Sequence, residues 1–187
     1  MHLSSQPVRW TIADLELFDD PNQSYEIVDG QLIVTRAPHW YHQEISGNVY
    51  MVLKAWSRQT GLGRAAIAPG IIFSDINSVI PDVAWVSQPR LESCLDDSGH
   101  LTAAPDLVVE VLSSSKRDRR RDYELKLKLY SSEGVLESWI LDRQKQELKV
   151  YRREGSCLRL SETLFPSDSL TSPILPGFSC VVSDLFE

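Results

Sequence analysis

One acid inside an apolar run constrains this chain more than any other feature. From Pro105 to Ser115 the sequence is PDLVVEVLSSS. Leu107, Val108, Val109, Val111 and Leu112 are apolar at odd and even positions alike, which predicts a central strand covered on both faces. Glu110 lies within it. An ionised carboxylate left unpaired there costs several kcal/mol or is driven to a higher pKa, so it must meet a cation, a metal or a set of donors. It is either a strand-end glutamate bridged to a nearby Arg or Lys or part of a polar site.

Asp106 cannot share that site, because four strand residues put the two carboxylates roughly 13 Å apart. Asp82 can. It opens a second strand-like run, Pro81-Asp82-Val83-Ala84-Trp85-Val86, and the polar linker from Ser87 to Ala104 is long enough for an antiparallel return that sets Asp82 beside Glu110. The segment from Arg117 to Glu133 reads as a helix. At 100° per residue Tyr123, Leu125, Leu127, Leu129 and Tyr130 fill one arc, while Arg121, Glu124 and Lys128 fall outside it. Lys126 falls inside the arc, with Asp122 one turn before it at i,i+4 spacing. Its ammonium either reaches the Asp82/Glu110 site or escapes to water over an aliphatic stem.

The rest of the chain supplies the frame. Thr11 with Asp14 three residues on predicts a capped short helix through Phe18, ended by Asp20-Pro21-Asn22. Tyr25 to Val28 and Leu32 to Thr35 are β-rich and joined through Asp29-Gly30, a strong hairpin signal. Glu26 alternates with Tyr25 and Ile27, so it faces water or adds a third acid to the site; spacing does not decide between them. A helix is expected from Pro38 to about Thr60, with Ile45, Val49, Val52 and Trp56 on one face and Gly61 as its stop. His39 and His42 share its first turns without a third zinc ligand nearby, and His42 is placed near the site entrance, donating a hydrogen bond to substrate or to Glu26. Arg64 to Ser74 is strand material broken at Pro69-Gly70, which suggests a bend or an edge. Leu136 to Leu141, Glu147 to Arg152 and Cys157 to Ser161 continue as strands, and the tail from Pro173 to Glu187 should pack back on the body. The order predicts one α/β domain, 1–187, with a mixed central β-sheet flanked by helices.

Composition removes several function classes. The chain has 187 residues, a formal net charge of -7 and three widely spaced cysteines, arguing for one domain without a disulfide framework or a zinc site. Apolar runs fall short of the ~18 residues a membrane helix needs, and MHLSSQPVRW lacks a signal-peptide core, so a cytoplasmic location is expected. The negative charge argues against non-specific coating of DNA. Charge is unevenly spread, however. Lys116-Arg117-Asp118-Arg119-Arg120-Arg121 is a basic run between the acidic strand and the Lys126 helix, and it could hold a phosphate backbone through Arg119 and Arg120 or simply be a solvated helix start.

Pro81-Asp82, Glu110 in EVLSSS, Asp122-x3-Lys126-x3-Tyr130 and Gly134-Val135-x-Glu137-x-Trp139 together resemble the Uma-two family of restriction-endonuclease-like proteins, within the PD-(D/E)XK nuclease superfamily. Tyr25-Glu26-x-x-Asp29-Gly30 and His42-Gln43-x-Ile45 extend the likeness to nearly the whole chain. One departure stands out. Leu112 occupies the position where (D/E)XK carries a lysine, and the resemblance implies that the lysine has moved onto the helix as Lys126. The resemblance further implies a restriction-endonuclease-like core, with Asp82, Glu110 and Lys126 catalytic and Glu26 joining Asp82 and Glu110 at a metal. Two hard carboxylates suit Mg2+ or Mn2+. The expected reaction is metal-assisted phosphodiester hydrolysis, most naturally of DNA, by a homodimer if both strands of a duplex are cut. The rival reading is a non-catalytic nuclease-fold module that binds nucleic acid or a partner protein. A weaker third is a phosphodiesterase for nucleotide-sized substrates.

Overall fold

The computed structural model describes residues 8–113 and 116–187, with the backbone alone for residues 116–122. Helix α1 (Ile12–Leu15) is shorter than expected, although the predicted capping contact forms: Thr11 N donates to Asp14 Oδ2 at 2.8 Å. Strands β1 (Gln23–Val28) and β2 (Gln31–Arg36) pair antiparallel across Asp29 (φ 49°) and Gly30 (φ 71°). Two consecutive left-handed residues are what a two-residue hairpin turn requires. Helix α2 (Trp40–Thr60) starts two residues later than expected, because His39 stays extended and caps it, accepting from Tyr41 N; left-handed Gly61 ends it.

Strand β3 (Gly63–Ile67) is the edge of a six-stranded sheet ordered β10-β9-β8-β7-β6-β3. The break at Pro69-Gly70 is more than a bend. It carries the chain out of that sheet into β4 (Ile71–Ser74) and β5 (Asn77–Val79), which join β1 and β2 in a second sheet ordered β2-β1-β5-β4. Strand β6 (Val83–Ser87) returns to the large sheet, and α3 (Gln88–Cys94) occupies part of the stretch expected to be linker, with Pro89 in its first turn. Proline fits there, because the N–H it lacks has no helical partner at that position.

Strand β7 (Leu107–Val111) lies at the centre, antiparallel to β6 and parallel to β8 (Glu137–Asp142), and α4 (Lys116–Glu133) is the crossover between β7 and β8. Strands β9 (Glu147–Glu154) and β10 (Cys157–Leu164) complete the sheet as a meander. A small ribbon of β11 (Ser169–Thr171) and β12 (Ser179–Val181) and a last turn α5 (Ser183–Phe186) follow.

Both faces of the large sheet are covered, as the double-sided apolarity of β7 demands. Leu107, Val109 and Val111 pack with Trp139, the α2 residues Ile45, Val49, Leu53 and Trp56, and the tail residues Leu175, Phe178 and Leu185. Val108 faces the other way, toward Leu129 and Tyr130 of α4. Tyr123, Leu125 and Leu127 are half-buried at the margin of the helix arc. No helix among the described residues is long and apolar enough to cross a membrane.

Candidate active site

The site forms where β6 begins and β7 ends. The antiparallel register pairs Val83 with Val109, which sets Asp82 beside Glu110, as the length of the intervening segment suggested. Asp82 Oδ2 accepts from Val111 N at 2.6 Å, and the Asp82 carbonyl accepts from Ala68 N at 3.0 Å. The first bond fixes the carboxylate against the strand carrying Glu110, and the second holds the Asp82 backbone against the bend after β3.

Lys126 lies on the buried face of α4 and does not escape to water; the residue is 7% exposed. Its Nζ stands 3.3 Å from both oxygens of Glu110 and 2.8 Å from Glu26 Oε1. Tyr130, one helical turn further along, donates from its hydroxyl to Glu110 Oε1 at 2.6 Å. Residues four apart share a helix face, so α4 presents an ammonium and a phenol to the same carboxylate.

Glu26 is buried and does not face solvent. Its Oε1 accepts from Ile80 N at 2.6 Å besides meeting Lys126. The alternation of β1 could not show this, because the partner is a backbone N–H just before β6, brought close by pairing of β1 with β5. His42 reaches the site from α2, but its neighbour is Asp82: Nε2 lies 3.3 Å from Asp82 Oδ2, in place of the expected bond to Glu26. Helix α2 covers the opposite sheet face from α4, so its first turn meets the β6 end before it could reach β1. His42 Nδ1 is buried without a hydrogen-bond partner among the described residues. The side chains of Arg119, Arg120 and Asp122 lie outside the described residues.

The charge balance is uneven: Glu26, Asp82 and Glu110 surround one lysine. Burial pushes the Glu110 carboxyl up to about 7; Lys126 opposes that rise, Asp82 and Glu26 add to it, and the Tyr130 hydroxyl again opposes it. Burial also disfavours the Lys126 ammonium, but Glu110 and Glu26 outweigh it and hold the group above the ordinary lysine range. The Tyr130 phenol is raised by burial and by the same two acids. His42 is raised: burial pulls it down, and the hydrogen bond and charge of Asp82 more than reverse that.

Asp82 and Glu110 offer the hard oxygens that Mg2+ or Mn2+ prefers. Glu26 is already engaged by Lys126 and Ile80, and no group of three or more His, Cys, Asp and Glu among the described residues is spaced to hold a metal ion. Asp82 and Glu110 are the carboxylates of adjoining strands whose donor type suits such an ion, and Lys126 and Tyr130 already touch the oxygens of Glu110. Tyr130 is a contact of Glu110 that reading the chain missed. Its signal was present in the spacing Lys126-x3-Tyr130.

A model of the Uma2 family, described as "putative restriction endonuclease", matches residues 11–183. Among solved structures, the crystal structure of a protein described as a putative nuclease belonging to DUF820, from Anabaena variabilis, aligns with a TM-score of 0.75. The alignment covers 94% of this chain and 97% of that one at 20% sequence identity. At that identity the likeness speaks for the fold. No curated protein matches the chain.

Proposed function

The chain belongs to the Uma2 family of putative restriction endonucleases, and on that premise we propose that it is a metal-dependent nuclease hydrolysing phosphodiester bonds in DNA. One observation carries the reading: a buried ammonium, held between two acids, touches Glu110 on the strand next to Asp82. Asp82 and Glu110 would hold Mg2+ or Mn2+. Such an ion lowers the pKa of a bound water and offsets charge growing on the scissile phosphate.

The protein's own groups supply the rest. Lys126 orients the attacking water or hydrogen-bonds the phosphoryl oxygen as negative charge accumulates there, an interaction strengthened by the partly dry pocket. Glu26, entertained above as a third ligand, acts here as the anchor that fixes the lysine. Tyr130 holds one oxygen of Glu110 and so aims the other. His42 holds Asp82. Arg119 and Arg120 are assigned to the phosphate backbone on charge and chain position alone, and a homodimer on the symmetry of double-strand cleavage.

The test is nicking of supercoiled plasmid in Mg2+ or Mn2+ by the wild-type protein and by Asp82→Ala, Glu110→Ala and Lys126→Ala. Cleavage by wild type that falls by about 10²-fold or more in each variant is expected; retention of full activity in any of them removes that residue from the mechanism. A second reading, an inactive nuclease-fold module that binds nucleic acid or a partner protein, is favoured by the engagement of both Glu26 and Glu110 by Lys126. Absence of cleavage together with absence of Mg2+ and Mn2+ binding by calorimetry selects it.

A further inference from the structure

Off the end of the sheet where β7 finishes stands a cation held on an aromatic ring, with no acid partner among the described residues. Arg143 follows the last residue of β8, and its guanidinium carbon sits 3.8 Å from the centroid of the Tyr41 ring. Tyr41 is stacked in turn against His39, with ring centroids 5.5 Å apart and planes 21° from parallel. The turn that carries Arg143 is tied down: Asp142 Oδ1 accepts from Gln144 N at 3.0 Å and Lys145 N at 3.2 Å, and the Arg143 carbonyl accepts from Gln146 Nε2 at 2.9 Å. The guanidinium has no carboxylate partner among the described residues. Arg9, Arg90, Arg152 and Arg159 face acids and Arg153 is served by the Val135, Tyr130 and Ser131 carbonyls, whereas Arg143 rests on a ring.

Its position relates it to the site from two directions. Glu110 pairs with Ile140 in the parallel β7–β8 register, and Leu112 N donates to the Leu141 carbonyl. Arg143 therefore lies about 10 Å further along the strand direction than Glu110, off the end where β7 finishes. From the other side, Tyr41 immediately precedes His42, which contacts Asp82. A planar cation stacked on an aromatic face loses little rotamer freedom on binding and keeps its N–H edge for an anion.

Resting on the nuclease reading, we propose that Arg143, held flat on Tyr41, is the grip for a backbone phosphate adjoining the scissile one, a positioning residue that sets the strand against Asp82 and Glu110. With a net charge of -7 the protein lacks the diffuse attraction that commonly supplies affinity for DNA. A preorganised contact at the rim supplies attraction where it aligns substrate.

The experiment is fluorescence anisotropy of a short fluorescein-labelled DNA duplex over a salt series in EDTA, where no hydrolysis competes, followed by plasmid nicking in Mg2+. Arg143→Ala is expected to weaken binding on the order of ten-fold and to flatten the slope of log K against log salt by about 0.9, the signature of one lost phosphate contact. Tyr41→Ala keeps the charge, so it should weaken binding by about three-fold and leave the slope unchanged, whereas Tyr41→Phe behaves as wild type. Arg143→Ala combined with Tyr41→Ala should be no weaker than Arg143→Ala alone. In nicking, Arg143→Ala should raise KM and spare kcat. Trp40, 76% exposed on the opposite side of α2 from His42, is the control, and Trp40→Ala should change nothing.

An unchanged slope in Arg143→Ala, or an equal loss in Trp40→Ala, overturns the grip even if the protein cleaves DNA. A flattened slope without cleavage by any form keeps the grip and overturns the nuclease reading. A wild-type protein that binds no DNA at any salt overturns both.

Discussion

Two glutamates are withdrawn from solvent on neighbouring parallel strands, Glu110 at the end of β7 and Glu137 at the start of β8, on opposite faces of the sheet. Glu137 is 0% exposed and fully served: Oε1 accepts from Trp139 Nε1 at 2.6 Å, and Oε2 from Ser172 Oγ at 3.1 Å and Arg152 Nε at 3.3 Å. Arg152 also donates to Glu162, Ser161 and the Thr171 carbonyl. That network is closed and pins the tail to the sheet. Around Glu110 one lysine is shared with Glu26, Asp82 on the next strand meets His42, and the other nitrogen of that histidine is buried with no partner among the described residues. One buried carboxylate is thus fully paired, while its neighbour on the next strand has more acids than cations about it, which is the imbalance the metal-dependent reading starts from.

Breaking the closed network should have the largest effect on the fold. Glu137→Ala leaves Trp139 Nε1 and Ser172 Oγ buried without their acceptor, while Arg152 keeps Glu162, and two stranded donors are expected to lower stability by about 3–5 kcal/mol, read from the urea midpoint, while sparing Mg2+ affinity. A change of less than about 1 kcal/mol would mean that the network is ornamental. Glu110→Gln should act in the opposite sense on the metal-free protein. The folded state binds this proton more tightly than the unfolded chain does, so the contribution of Glu110 to stability is fully present below pH 4.5 and is lost as pH rises through about 7. At pH 8 the glutamine variant should be the more stable by about 3 kcal/mol, with thermal unfolding across pH 4 to 9 as the check; two parallel profiles would refute the assignment.

Adding Mg2+ sharpens the contrast. At about a hundred times its dissociation constant the ion should stabilise the wild-type protein by about 2.7 kcal/mol. Asp82→Asn and Glu110→Gln should abolish that gain and Glu137→Gln should leave it, and a gain surviving in all three would place the ion elsewhere. The smallest expected effect belongs to Tyr130→Phe. Its lost hydrogen bond costs about 1 kcal/mol and lets the Glu110 proton bind more tightly, so the acidic limb of the activity profile should move to higher pH without loss of the plateau.

The two pockets also separate what a chain like this discloses from what it withholds. Asp82, Glu110 and Lys126 were legible because period, linker length and helix angle are local quantities that strand pairing and helix packing then respect. The facing of Glu26 and the partner of His42 were not. Both depend on which sheet the β1–β2 hairpin joins, and the hairpin signal is silent on that. Helix α3 was hidden by the polar residues of a segment with one fully buried side chain, Cys94. The stack of Arg143 on Tyr41 joins residues about a hundred positions apart and leaves no local pattern at all.

The crossover between the two parallel strands bears on how the site comes together in time. Lys126 and Tyr130 meet Glu110 across 16 and 20 residues of chain, whereas Asp82 reaches Val111 across 29 and Glu26 reaches Ile80 across 54. Contacts that close short loops cost less chain entropy to form. Loop closure therefore favours early pairing of Glu110 with Lys126, whereas Asp82, at the start of β6 in the same sheet, and Glu26, on the second sheet, close longer loops. In that order of loop lengths, the two added acids join a carboxylate that already has its cation.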